Sequence, residues 1–207
     1  MHKPSQRLSL LIVLVCVLVV TSSVVSATIG PRTVVEQATQ QVLNTLDNNA
    51  ERIKNDPEAV QALVAEIVLP RFDFELMSRF VLGRHWRDAS PTQREAFTQA
   101  FRDLLVRTYA RALDDYSGED VRIPPQRIPD DSDRVSVQTE ILQVDGPVIP
   151  VNYALFFRDE QWKVFDVTIE GVSLVQNYRA QFGDIARADG LDALIERVQT
   201  GTPGALE

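Results

Sequence analysis

Asp166 and Glu170 stand four residues apart at the end of an apolar run, Val164 to Ile169. Two neighbouring carboxylates are the minimum equipment for hydrolysing a glycosidic bond: one acid protonates the leaving oxygen and the other attacks or activates water. Strand alternation puts Asp166 between Val164 and Thr168, on the face opposite Phe165 and Val167, and therefore partly buried. Buried acids are more often paired than catalytic, and Arg79, Arg84 and Arg87 are the candidate partners. Other chemistries lack their residues. His85 is the one histidine besides His2, and the chain has no Gly-x-Ser-x-Gly elbow, no phosphate-binding loop and no dinucleotide fingerprint. The one cysteine, Cys16, falls in an N-terminal apolar run, which leaves the rest of the chain without thiol chemistry or Cys-ligated zinc. Arg84-His85-Trp86-Arg87 is a basic-aromatic run too short to offset a formal charge of −8, so nucleic acid is not an expected partner. The expectation is no catalytic set, no metal site and no cofactor, with a carboxylate-dependent hydrolase as the enzymatic alternative.

The elements that would position these residues begin with a leader. Lys3 and Arg7 precede an apolar run from Leu8 to Val20, and small residues follow, ending Val25-Ser26-Ala27. That is the pattern of a secretory signal cleaved after Ala27, which predicts an exported mature chain. Two other readings exist. Leu10 to Ile29 carries no charge and is long enough for a retained anchor, although Thr21, Ser22, Ser23 and Ser26 weigh against it. A lipoprotein site at Cys16 is disfavoured by the bulk of Val15. Loss of 1–27 removes two positive charges, taking the net charge from −8 to −10. The expected organisation is a signal over 1–27, a single domain over 28–199 and a flexible tail over 200–207.

The 207 residues, 44% hydrophobic and 24% charged, suit one folded domain with a substantial core. Helical spacing appears in Val35, Ala38, Val42, Leu43 and Leu46. It reappears after Asp56-Pro57 in Val60, Leu63, Val64, Ile67 and Val68, up to Pro70. Asp73 caps a third helix that turns Phe74, Met77, Phe80 and Val81 inward and stops at Gly83. Ser90-Pro91-Thr92-Gln93 is a capping box, predicting a long helix to about Tyr116 with Phe97, Phe101, Leu104, Leu105, Thr108, Ala112 and Tyr116 inward. The period then changes to two. Val135, Val137, Thr139 and Ile141 alternate with polar residues, and turns at Asp145-Gly146-Pro147 and Asp159-Glu160 separate two further strands, Ile149 to Phe157 and Trp162 to Ile169. Val121 to Ile123 supplies a fourth. Helical spacing resumes in Val175, Tyr178, Phe182 and Ile185, and again in Leu191, Leu194, Ile195 and Val198. The class is α+β: an antiparallel meander of about four strands covered by amphipathic helices. Tyr153, Leu155 and Phe157 read onto one face and Ala154 and Phe156 onto the other, while Phe165, Val167 and Ile169 oppose Trp162 and Val164. Both faces are thus apolar, so either helices cover both or one lines an apolar cavity.

These residues also carry a resemblance. Phe80-Val81-Leu82-Gly83-Arg84-His85-Trp86-Arg87, Ala89-Ser90-Pro91-Thr92-Gln93-Arg94-Glu95-Ala96-Phe97 and Phe101-Arg102-Asp103-Leu104-Leu105 closely resemble the MlaC family of periplasmic phospholipid carriers, also known as toluene-tolerance proteins. A second block, Trp162 to Val167, Glu170 to Val175, Asn177-Tyr178-Arg179 and Gly190 to Leu194, resembles the family's C-terminal part, so the likeness spans about residues 33 to 198. The loops around Pro124 to Asp133 depart from it. The resemblance implies a nuclear-transport-factor-like cone with an apolar lipid pocket between sheet and helices, and a phospholipid as cargo. It also implies two partners: an outer-membrane lipoprotein–porin complex, and an inner-membrane ABC transporter complex met through its substrate-binding ring subunit. A non-catalytic interaction module with a filled core is the rival within the same fold. On this reading the lining is Met77, Phe80, Val81, Leu105, Tyr109, Tyr153, Leu155, Phe157, Phe165, Val167, Ile169, Val172 and Val175. Arg84, Arg87 and Arg94 form a candidate docking patch, unless they pair with Asp88 and Glu95.

Overall fold

Ser90 and Gln93 cap each other as their spacing predicts. The Gln93 N–H donates to Ser90 Oγ at 3.2 Å and the Ser90 N–H donates to Gln93 Oε1 at 3.0 Å. The structure, a computed structural model, describes residues 29–49, 53, 56–109, 118–129, 131–144 and 146–201. The leader, Ala112 and Tyr116 of the long helix, Asp145 of the first hairpin turn and most of the tail lie outside the described residues. The helices are α1 (Pro31–Asn48), α2 (Pro57–Leu63), α3 (Phe74–Leu82), α4 (Arg84–Asp88), α5 (Pro91–Tyr109), α6 (Leu174–Asp189) and α7 (Leu191–Thr200). None among the described residues is long and apolar enough to cross a membrane.

Two further local expectations are met with a stated geometry, and one boundary moves. Asp73 Oδ1 accepts from the Leu76 N–H at 2.9 Å and caps α3. Gly83 ends that helix at φ 55°, a conformation that favours glycine. Thr200, expected in the tail, is instead the last residue of α7, closed by left-handed Gly201. Two helices depart from expectation. The stripe through Val68 is not one regular helix: α2 passes into a π-helical turn, Val64–Val68, and a 3-10 turn, Leu69–Arg71. Pro70 has no N–H and its ring crowds the carbonyl four residues back, so the preceding turn widens until the Leu69 N–H reaches the Val64 carbonyl. Thr108 is exposed although it fits the inward stripe of α5. The covering helix α7 ends beside Arg107, whose Nη2 donates to the Val198 carbonyl at 3.0 Å, so nothing of α7 remains to cover the next turn.

The sheet has five antiparallel strands in chain order: β1 (Asp120–Arg122), β2 (Arg134–Leu142), β3 (Ile149–Arg158), β4 (Gln161–Ile169) and β5 (Val172–Ser173). β5 is the addition to the expected four, too short at two residues for alternation to reveal it. A bulge changes the faces. Ala154 pairs with Asp166 but Leu155 pairs with Val164, so Phe165 is the extra residue on β4. Parity therefore flips there. Trp162 and Val164 join Val167 and Ile169 on the face that carries Val135, Val137, Val151, Tyr153 and Leu155, whereas Phe165 turns to the other side with Asp166. The outer face is polar along β2, where Arg134, Ser136 and Gln138 are exposed, and Arg134 covers Phe156 at 5.1 Å. Of the expected pair of apolar faces the inner one is realised, and the outer one only in part, at Phe156 and at Phe165, which packs on Phe80.

Candidate functional site

Domains usually close around one contiguous core with small satellites. This one divides into three. The first cluster joins α3, α5, α6 and α7 around Phe97, Phe101 and Phe182, all at 0% exposure, with Tyr178 edge-on to Phe101 at 5.3 Å. The second joins Val34 and Val35 of α1 to the inner face of the sheet. The third holds Leu46 of α1, Val60 and Leu63 of α2, and Val64 of the π-helical turn. Half-buried apolar residues collect at the margins of the last two: Ile141, Ile149, Tyr153, Ile169 and Leu174 on the sheet side, and Val42, Ile67, Val68, Leu69 and Val106 on the helical side. α1 belongs to both clusters and spans them. The candidate site is this seam, with the inner face of the sheet as one wall and α1, α2 and its irregular continuation as the other.

The wall is chemically plain. Its hydroxyls are Thr139, which donates to the Val151 carbonyl at 3.1 Å, and Tyr153, whose phenol is pushed up by burial while a hydrogen bond with Thr139 opposes the shift. Both polar groups are satisfied inside the sheet, so the surface offered to a ligand is hydrocarbon and aromatic ring.

The structure sorts the sequence-predicted lining into separate places. Tyr153, Leu155, Val167 and Ile169 lie together on the inner face, and register puts Phe157 on that side too, at the far end of the hairpin with its ring 5.2 Å from Trp162. Met77, Val81, Leu105 and Val175 belong to the helical cluster. Phe80 and Phe165 pack together at 5.5 Å on the outer side, where the bulge sends Phe165. Tyr109 and Val172 are exposed, by 36% and 56%, at the end of α5 and on the edge strand. Partial burial of its ring and the neighbouring Tyr178 push the Tyr109 phenol up to about 12. Ile141, Ile149, Leu174 and the α1 valines were not in the predicted lining. The period-2 pattern of β2 already put Ile141 on the face of Val135 and Val137, which was the available signal.

The carboxylate pair does not assemble into an acid–base site. Asp166 Oδ2 accepts from the Ser173 hydroxyl at 2.6 Å and Oδ1 from the Val175 N–H at 3.1 Å, while Ser173 Oγ accepts from the Gln176 N–H at 3.1 Å. Both oxygens are thus engaged at the start of α6, where a carboxylate also meets the positive end of the helix. Glu170 sits exposed in the β4–β5 turn. Asp166→Ala should lower stability by about 1–2 kcal/mol through loss of these two bonds; a chemical denaturation midpoint equal to the parent's would remove Asp166 from that role.

The three arginines of the predicted docking patch lie around α4 but differ in what they engage. Arg94 is half-buried, donates from Nε to the Trp86 carbonyl at 2.9 Å and from Nη2 to the Arg87 carbonyl at 3.2 Å, and lies 5.5 Å from the Trp86 ring. It closes the C-terminus of α4. Arg84 and Arg87 are exposed, and among the described residues neither pairs with Asp88 or Glu95.

Comparison with known proteins gives this arrangement a context. The sequence model of the family described as MlaC protein matches residues 36–200. The chain is 28% identical over 176 residues to the intermembrane phospholipid transport system binding protein MlaC of Haemophilus influenzae, covering 82% of this chain and 81% of that protein. It is 30% identical over 163 residues to toluene tolerance protein ttg2D of Pseudomonas putida, covering 78% and 75%. The fold matches a phospholipid-binding protein from Ralstonia solanacearum, solved in complex with a phospholipid, with a TM-score of 0.77 and 28% identity over 86% of this chain and 99% of that one. With most of its length matched by the family model, a relative at 30% identity and the same helix-covered antiparallel sheet, the chain belongs to the MlaC family.

Proposed function

We propose that this protein is an exported, non-catalytic phospholipid carrier that holds acyl chains in the seam between the inner face of the sheet and α1–α2. The observation that carries the reading is the divided core: half-buried apolar residues line both sides of the seam, with Tyr153 and Thr139 satisfied internally. The family's phospholipid-bound relative supports it. The lipid contacts fall first on Tyr153, Leu155, Val167, Ile169 and Val172, while Met77, Val81 and Leu105 pack the helical bundle behind. Phospholipid enters from an outer-membrane lipoprotein–porin complex and leaves to an inner-membrane ABC transporter complex through its substrate-binding ring subunit.

Physical chemistry makes the requirement severe. A buried methylene is worth about 0.8 kcal/mol, so ten left in water cost on the order of 8 kcal/mol, a population penalty of roughly a millionfold. A carrier must therefore cover nearly all of both tails, whereas the headgroup tolerates water. The π-helical turn at Val64–Val68 suits a wall that has to part, since such turns interrupt the regular ladder that otherwise stiffens a helix.

Organic extraction of purified mature protein, followed by lipid mass spectrometry, should recover phospholipid at close to stoichiometric amounts. A lipid-free extract from protein purified without detergent would leave the filled-core interaction module as the better account. Export has its own check. N-terminal sequencing of the secreted form should begin at Thr28, and recovery of Met1 in a membrane pellet would restore the retained-anchor reading.

A further inference from the structure

On the outer side of the sheet, away from the seam, α3, β4 and α6 enclose an open cleft of about 690 Å³. Its apolar part is Phe80, Phe165 and Val175, and α6 contributes Ala180 and Gly183 beside the charged Arg179, Asp184 and Arg187. The charges do not cancel. Asp166, also in the lining, has both oxygens engaged at the start of α6, and Asp184 pairs with Arg187 at 2.8 Å. Arg179 has no such partner among the described residues: it reaches across to the turn between α3 and α4, its guanidinium 3.1–3.4 Å from where a Cβ on Gly83 would stand. Arg79 and Arg84, on either side of Gly83 in the chain, are likewise exposed without hydrogen bond or ion pair among the described residues. A cluster of uncompensated arginines is unexpected on a chain of net charge −8.

Gly183 adds an independent observation. It lies inside α6 with ordinary helical φ, and a Cβ there would meet nothing within 4 Å. Glycine is the poorest helix former apart from proline, so the isolated molecule gains nothing from it. A bare spot there leaves room for the close approach of an outside chain.

We propose that this cleft is a docking groove for a segment of a partner protein in which acidic side chains flank an apolar one. The apolar side chain seats on Phe80 and Phe165 over the bare surface of Gly183, and the acidic groups meet Arg79, Arg84 and Arg179. Elsewhere the acidic surface repels such a segment, so charge selects this face. The patch shares only Arg84 with the docking patch read from the sequence, because the fold brings Arg179 in from a distant part of the chain and commits Arg94 to α4.

The test places a photo-crosslinking residue at exposed Gln176 in the full-length chain, in the producing cells, and maps the crosslinked peptide by mass spectrometry. The expected product is a protein segment carrying acidic residues beside an apolar one. Its yield should fall at least tenfold in an Arg79→Glu, Arg84→Glu, Arg179→Glu variant and in Gly183→Leu. Gly183→Leu should keep or raise the thermal midpoint, which separates a blocked groove from a damaged fold. Crosslinks only to lipid, only to a second copy of this chain, or to nothing overturn the proposal, as does a yield indifferent to charge reversal. Lipid content of the same preparations is scored separately: a carrier with no docking at this cleft retains its phospholipid, while failure of the lipid reading shows as an empty parent protein whatever the crosslink pattern.

Discussion

Val172→Glu should yield a folded protein that has lost its phospholipid, with lipid per mole of protein reduced at least tenfold. Val172 is 56% exposed on the two-residue edge strand β5, paired with Ile169 of the inner face. An exposed position tolerates a charge with a stability change of about 0.5 kcal/mol or less. The same carboxylate set against acyl chains has no hydrogen-bond partner there, and desolvating an unpaired charge costs far more than the van der Waals contact it replaces. The two effects thus pull apart in one variant: thermal midpoint close to the parent's, lipid gone. Val172→Thr, which keeps the shape and adds a hydroxyl, should fall between. Phospholipid retained at the parent level in the glutamate variant would place the lipid away from the β5 edge and return Val172 to ordinary surface.

Much of the scaffold was legible because its signals are local. The capping box at Ser90 and Gln93, the Asp73 cap, the Gly83 stop and the alternation of Val135, Val137 and Thr139 each depend on a few neighbouring residues, and each is realised in the structure. The site was legible in part. Alternation grouped Tyr153 with Leu155 and Val167 with Ile169 within their own strands, and the register puts both pairs on one face. Phe165 went to the wrong face because a bulge inserts one residue into β4 without a glycine or proline to announce it, and a single inserted residue inverts every assignment beyond it. Helical stripes gave Met77, Val81 and Leu105 an inward direction but not a destination, since inward in this fold means one of three separate clusters. The role of Asp166 was hidden for a related reason. Its partners, Ser173 and the Val175 N–H, become neighbours only when β5 folds back along β4.

The division of the core leads to the other large effect, on stability rather than on lipid. Phe101 is fully buried, stacks on Phe97 at 5.8 Å and meets Tyr178 and Phe182 edge-on at 5.3 and 6.1 Å. Phe101→Ala removes a ring from the middle of the helical cluster and should cost about 3–5 kcal/mol. For a domain of this size that corresponds to a fall of roughly 10 °C in the thermal midpoint. Lipid per folded molecule, measured well below the transition, should be unchanged, because Phe101 sits inside the helical cluster, which meets the seam through Phe72 and the Val106 side of α5 and not through its buried rings. Ile169→Asn should do the reverse. That residue is half-buried on the inner face, so the amide keeps access to water at the cost of about 1–2 kcal/mol, while a polar group now faces the acyl chains. A carrier whose lipid site and structural core were one continuous volume would lose lipid and stability together in both variants, and that outcome would dissolve the seam as a distinct site.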